Sequence, residues 1–305
     1  MDRRTFFKTL GAAGAISILR PALPGDYAYA APAAASETGL VTPFALAFDP
    51  SGALYVIDSA AYRVVRLNQE LKRVSAFGAP GAERGKLNFP MGIAFDPAGL
   101  MYVVDSNNGR VQVFDSTGNV KQIFGTIGSI GGSFSTPQGI SLDSEGRVLV
   151  ADTRNHRVQI FRNSQAIAVI GDLGDANDQF RLPTAALAVP GGEIVVLDSK
   201  HGLVKIFGKD LAFLRSFGGV GKDRGRLNMP QGMTLDDRGR LWIADTKNNR
   251  LQAFDLKGSL VSVIGKAGSG PGELNNPTGV AYRGGKLYVA DSGNGRIQIL
   301  DARVG

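Results

Sequence analysis

Six prolines constrain this chain more than any other feature. Pro43, Pro90, Pro137, Pro183, Pro230 and Pro277 recur at spacings of 47, 47, 46, 47 and 47 residues. A period of this length, held along a chain, marks a repeat architecture in which each unit buries its faces against its neighbours. Aspartates keep the same beat at Asp58, Asp105, Asp152, Asp198, Asp245 and Asp291, and a Phe-Gly or Ile-Gly pair follows at Phe77, Phe124, Ile170, Phe217 and Ile264. Stacked repeats share one continuous core, so the repeated region reads as a single domain.

Each copy is written in strands. Gly92-Ile93-Ala94-Phe95-Asp96 and Met101-Tyr102-Val103-Val104-Asp105 are short apolar runs around the turn residues Pro97-Ala98-Gly99, which predicts a hairpin. Arg110 to Phe114 alternates polar and apolar side chains, Ser116-Thr117-Gly118 turns the chain, and Val120 to Phe124 supplies a fourth strand. Four strands in each 47-residue copy predict a propeller blade, and six copies predict six blades around a central channel.

The motif Pro-x-Gly-Ile-Ala, followed by Tyr-Val-x-Asp-Ser-x-Asn-x-Arg-Val-Gln-Val-Phe, resembles the NHL repeat family over about residues 40–305. The resemblance implies an all-β, six-bladed β-propeller. It implies no single function, because the family includes RNA-binding propellers, receptor sensor domains and lyases. Blades two and six carry the motif most fully. Blade four departs from it, with Val189 in place of Asp96 and Leu203 in place of Arg110. Blade six runs out at Gly305 after its third strand. By register, an outer strand for it falls near Asp26 to Ala31, so the sixth blade is expected to have three strands and an open edge, the ring being closed by side-chain packing.

Residues 1–30 read as an export leader. Arg3-Arg4 precedes Thr5-Phe6-Phe7-Lys8, resembling a twin-arginine signal, and Leu10 to Leu19 forms an apolar run before Arg20. Ten residues fall short of the roughly twenty needed to span a bilayer, so no stable membrane insertion is expected. Ala28-Tyr29-Ala30 offers small residues for cleavage. The expected organisation is therefore a leader at 1–30, a linker at 31–39 and the propeller at 40–305, in a protein that is periplasmic or extracellular. Removing the leader takes away Arg3, Arg4, Lys8 and Arg20 with Asp2 and Asp26, lowering the net charge from +7 to +5. So small a surplus predicts no nucleic-acid partner. The absence of cysteine excludes disulfides, thiolate metal sites and thiol nucleophiles.

Turns after the first and third strands of a blade lie at one end, and loops after the second and fourth at the other. The second end has the longer loops and is the expected contact face. The Asp and Arg that bracket each of its short loops, such as Asp105 with Arg110, recur too often to be a catalytic pair. They predict a structural charge-assisted hydrogen bond. Trp242, standing where other blades have Tyr102 or Tyr288, is expected to pack between blades.

Residues that differ between blades are the better functional candidates. They give Tyr62, Asn107, Asn108, Arg154, His156, Lys200, His201, Lys247 and Asn248 as partner-binding residues. Blades three to five are basic there, forming with Lys222, Arg224 and Arg226 a cationic arc interrupted by Asp172, Asp175 and Asp178. His156 and His201 are the only histidines. Two cannot build a three-histidine metal centre, so they read as ordinary surface residues, and no cofactor is predicted. The channel mouth at Phe44, Met91, Gln138, Thr184, Gln231 and Thr278 contains no acid-base pair. These readings favour a binding or scaffold propeller that holds an envelope protein or polymer. The alternative is an enzyme of lyase or lactonase type with a divalent ion in the channel.

Overall fold

The computed structural model describes residues 39–303. Leader and cleavage site, with nearly all of the linker, lie outside them. The strands form five four-stranded antiparallel sheets and a sixth of three strands, each sheet running in simple sequence order. These are six blades. In blade two, for example, the strands are Pro90–Phe95, Met101–Asp105, Arg110–Phe114 and Val120–Phe124. The first lies at the channel and the last at the rim.

Second strands such as Leu54–Asp58, Val148–Asp152 and Leu241–Asp245 are buried at every position. Both faces of a blade are covered, so both sets of alternating side chains must be apolar or internally paired. The core accordingly divides by seam. Ile57 and Val64 of blade one pack with Ile93, Val103 and Phe114 of blade two, and five comparable clusters join the other neighbours. Trp242 is wholly buried, and its indole N–H donates to Asp236 at 2.9 Å. It packs between blades, as its place in the copy predicts.

Inner strands come close together around the channel. A Cβ on Gly92, Gly139, Gly232 or Gly279 would stand within 2.7 Å of a carbonyl oxygen on the next blade. This is why glycine follows so soon after the proline in those copies.

Blade six ends with Pro277–Arg283, Lys286–Asp291 and Arg296–Asp301. No described strand pairs with the outer side of Arg296–Asp301. The ring nevertheless closes on blade one. Leu46 and Val56 pack against Ala281, Ala290 and Ile297, and Phe48 meets Tyr288 edge-on at 4.9 Å while Arg283 lies over its ring at 5.2 Å. Thr278 Oγ1 donates to the Phe44 carbonyl at 2.6 Å. Closure rests on side chains and not on a shared sheet.

Candidate functional site

The long-loop face is built on one repeated device. After its second strand each blade makes a single 3₁₀ turn and then a residue in the left-handed conformation, such as Tyr62 at φ 56° or His156 at φ 56°. The aspartate before the turn fixes it. Asp105 is fully buried; its Oδ1 accepts the Asn88 amide at 2.6 Å, and its Oδ2 accepts from Asn108 at 2.9 Å, Arg110 at 2.7 Å and Gln112 at 3.0 Å. Arg110 and Gln112 also donate to the Lys86 carbonyl, and Arg110 to that of Glu83. The loop and the crossover arriving from the previous blade are thus tied to one buried carboxylate. Blades three, five and six repeat the set around Asp152, Asp245 and Asp291. The expected structural role of the Asp–Arg pair is what the geometry shows.

Blades one and four solve the problem differently. Blade one has Ala61 and Val65 where blades two, three, five and six have Asn and Gln, and Asp58 is held by Arg63 and the amides of Val41 and Thr42. In blade four Leu203 replaces the arginine, and His201 and Lys205 take over. His201 Nδ1 lies 2.7 Å from Asp198 Oδ2, and Lys205 Nζ lies 3.1 Å from the same oxygen. Lys205 is only 2% exposed and also donates to the carbonyls of Ala176 and Gln179.

These contacts sort the nine candidates. Asn108 and Asn248 serve the network, each donating to the aspartate of its own blade and to the carbonyl of Gly81 or Gly221. They form a column with Asn155 and Asn294, so they are shared between copies and do not distinguish one blade from another. Asn107, Arg154, Lys200 and Lys247 are exposed in these turns, with Asn107 donating to Asn88 and Lys247 to Asn276. Tyr62 stacks edge-on against Phe89 at 6.2 Å. The two histidines are not ordinary surface residues: both nitrogens of His201 meet carboxylates, and His156 Nδ1 accepts the Leu182 amide at 3.1 Å. Burial, with the Arg181 charge added, holds the His156 imidazole below its usual pKa.

Two further rings complete the face. The residue before the repeated proline has positive φ in five blades, namely Phe89 (54°), Thr136 (47°), Leu182 (56°), Met229 (49°) and Asn276 (45°). Bulky residues rarely adopt this conformation. Further out, the crossovers leaving blades two, three and four display Ile127 and Ile130, Leu173, and Val220, at 72%, 74%, 58% and 63% exposure. Each crossover has a buried leucine or phenylalanine seven residues later, and Ile127, Leu173 and Val220 form single bridges with these. The column was available in the aligned copies, but it is neither charged nor aromatic and gave no signal.

The channel holds a cavity of about 400 Å³ lined by inner strands, including Phe44, Met91, Thr184, Gln231 and Thr278. Among the described residues lining it there is no carboxylate, imidazole, ammonium or guanidinium group. Thr184 and Thr278 donate to backbone carbonyls of the next blade, whereas the buried Gln231 amide and the Ser141 hydroxyl have no protein partner. No group of three or more His, Asp or Glu side chains among the described residues is placed to hold a metal ion.

The chain is thus an all-β, six-bladed propeller with five four-stranded blades and one of three strands. Residues 87–114, 134–161, 227–254 and 274–300 match the NHL repeat family, so blades two, three, five and six carry NHL repeats. The two unmatched copies are those that depart from the shared Asn, Arg and Gln set. Solved structures with the same fold include hydrazine synthase of Kuenenia stuttgartiensis, at 14% identity and TM-score 0.61 over 90% of this chain and 99% of that one. Virginiamycin B lyase from Staphylococcus aureus is 12% identical, with TM-score 0.60 over 88% of this chain and 86% of that one. An auxiliary nutrient binding protein from Bacteroides thetaiotaomicron is 15% identical, with TM-score 0.65 over 85% of this chain and 68% of that one. At these identities the likeness is one of fold. No curated protein matches the chain in sequence.

Proposed function

We propose that this is an exported binding or scaffold propeller of the cell envelope, which holds a protein or polymer partner on its long-loop face. The observation that carries the reading is the arc of Ile127, Ile130, Leu173 and Val220 on three successive crossovers, which lead into the blades that carry the exposed cations Arg154, Lys200 and Lys247. Exposed apolar side chains gathered on one face mark an interaction surface. Beside cations they suit a partner that is apolar and acidic in the same stretch. Beneath them the buried aspartates already fix the backbone, so little ordering has to occur on binding. The fold neighbours include a protein named for binding nutrients and another named as a lyase. The uncharged channel wall favours the binding reading.

Two experiments test it. Immobilised mature protein should capture an envelope partner, and the variant Ile127→Ser with Val220→Ser should lose most of that capture. Equal capture by the variant overturns the proposed face. Elemental analysis of the purified protein is the second: a stoichiometric divalent ion would replace the binding reading with a metal-dependent enzyme. Export is checked by determining the mature N-terminus, expected at residue 31 after cleavage of the twin-arginine leader.

A further inference from the structure

We propose that the crossover between blades three and four, from Gly171 to Leu182, is fastened by the protein's two histidines in opposite protonation states, and is fully ordered only within a window of pH. The crossover carries Leu173 and is the middle one of the three that display exposed apolar residues. The bearing of the window on partner capture therefore rests on the reading above, whereas the fastening itself does not.

The first fastening requires a proton. His201 lies between two carboxylates, Nδ1 at 2.7 Å from Asp198 Oδ2 and Nε2 at 2.9 Å from Asp175 Oδ1. A carboxylate only accepts, so both contacts are hydrogen bonds only when both ring nitrogens carry hydrogen, which is the imidazolium. Deprotonation leaves one nitrogen lone pair facing a carboxylate. The N–H stays with Asp198, which is fully buried and shared with the Lys205 ammonium. Asp175 is 70% exposed and has a second partner in Arg181 at 2.7 Å, so it is the side that lets go.

The second fastening requires the absence of a proton. The Leu182 amide donates to His156 Nδ1 at 3.1 Å, and an imidazolium has no lone pair there to accept it. The charges facing His156 are Arg181, which opposes its protonation, and Asp198 and Asp152, which favour it. Burial adds to the effect of Arg181, so this bond persists below the ordinary histidine range. Alkaline pH thus frees the Asp175 side of the crossover, and sufficiently acid pH frees the Leu182 end.

Sibling blades hold the same two contacts with asparagine. Where blade four has His201, blades two, three, five and six have Asn108, Asn155, Asn248 and Asn294, which donate to the aspartate and to a crossover carbonyl without titrating. Where blade three has His156, blade five has Asn249, whose Oδ1 accepts the Asn276 amide at 2.8 Å. Two ready-made replacements that carry no titratable group are therefore on hand.

Hydrogen exchange of the purified protein, without partner, tests the proposal between pH 5 and pH 9. Protection of 171–182 is read as a ratio to the equivalent crossovers 125–136 and 218–229, which removes the intrinsic pH dependence of exchange. In the parent this ratio should fall roughly three- to tenfold from its maximum to the alkaline end of that range, the loss expected for one partly exposed charge-assisted hydrogen bond. His201→Asn should abolish that fall, and His156→Asn should abolish the loss at the acid end. A flat ratio in the parent, or an unchanged pH dependence in the double variant, overturns it.

Discussion

Replacing Asp105 by alanine should destabilise the protein far more than an ordinary loop substitution. The carboxylate is fully buried and serves four donors: the Asn88 amide and the side chains of Asn108, Arg110 and Gln112. Gln112 is itself fully buried, and the Arg110 side chain is 14% exposed. Water cannot readily take over the acceptor's part, so the cost includes a guanidinium with no counter-charge as well as the lost bonds. Removing one partner of a buried ion pair costs about 3–5 kcal/mol. For a chain of this size each kcal/mol lowers Tm by roughly 2–4 °C, so the expected fall is about 6–20 °C. Gln112→Val supplies the comparison. It installs the type of residue blade one already has at Val65 and leaves the Asp105–Arg110 pair intact, so its effect should stay near about 1–2 kcal/mol. Scanning calorimetry of the purified protein decides the matter. If Asp105→Ala melts within about 2 °C of the parent, or no lower than Gln112→Val, the buried carboxylate is not what fixes the loop.

Three other outcomes follow from the same structure. Gly279→Ala pushes a Cβ to 2.7 Å from the Phe44 carbonyl at the seam between blades six and one, so it should lower Tm by several degrees, whereas Gly99→Ala, with nothing within 4 Å but a positive φ, should cost about 1 kcal/mol or slightly more. Lys205→Met removes one of the two side chains on the buried Asp198 carboxylate, leaving His201, and should cost about 1–3 kcal/mol; Lys205→Gln restores the side chain of blades two, three, five and six and should recover most of it, and urea denaturation of the pair checks this. Burial pushes the Asp236 carboxyl up, but the Arg240 amide, the Trp242 indole and the Arg240 guanidinium outweigh it and hold the group below the usual range. Its contribution to stability is therefore present at neutral pH and lost as pH falls through that lowered value; Trp242 emission should change only below about pH 4, and Asp236→Asn should remove the transition.

Where the copies agree, the fold was open to reading from sequence. The proline and aspartate columns place blade limits, the Asp–Arg bond and the packing of Trp242, and the register after Pro277 anticipates a three-stranded blade six. The site was less legible because its chemistry runs between copies. Leu203 announces that blade four lacks its arginine. That His201 and Lys205 replace it depends on partners in the crossover, 26 and 29 residues back at Asp175 and Ala176. Nothing in Phe89, Leu182 or Met229 announces a left-handed backbone, since ordinary propensity argues against it. Asn108 and Asn248 read as differences in the sequence because neighbouring letters change around a constant amide.

The pre-proline ring has a practical consequence. Phenylalanine, threonine, leucine, methionine and asparagine all occupy one backbone geometry there, which means the frame tolerates five different side chains at this place in the copy. Those five positions amount to a natural library on a rigid display frame. New binding specificities could be selected by randomising them together, with the loops beneath held in place by carboxylates that no selection would need to alter.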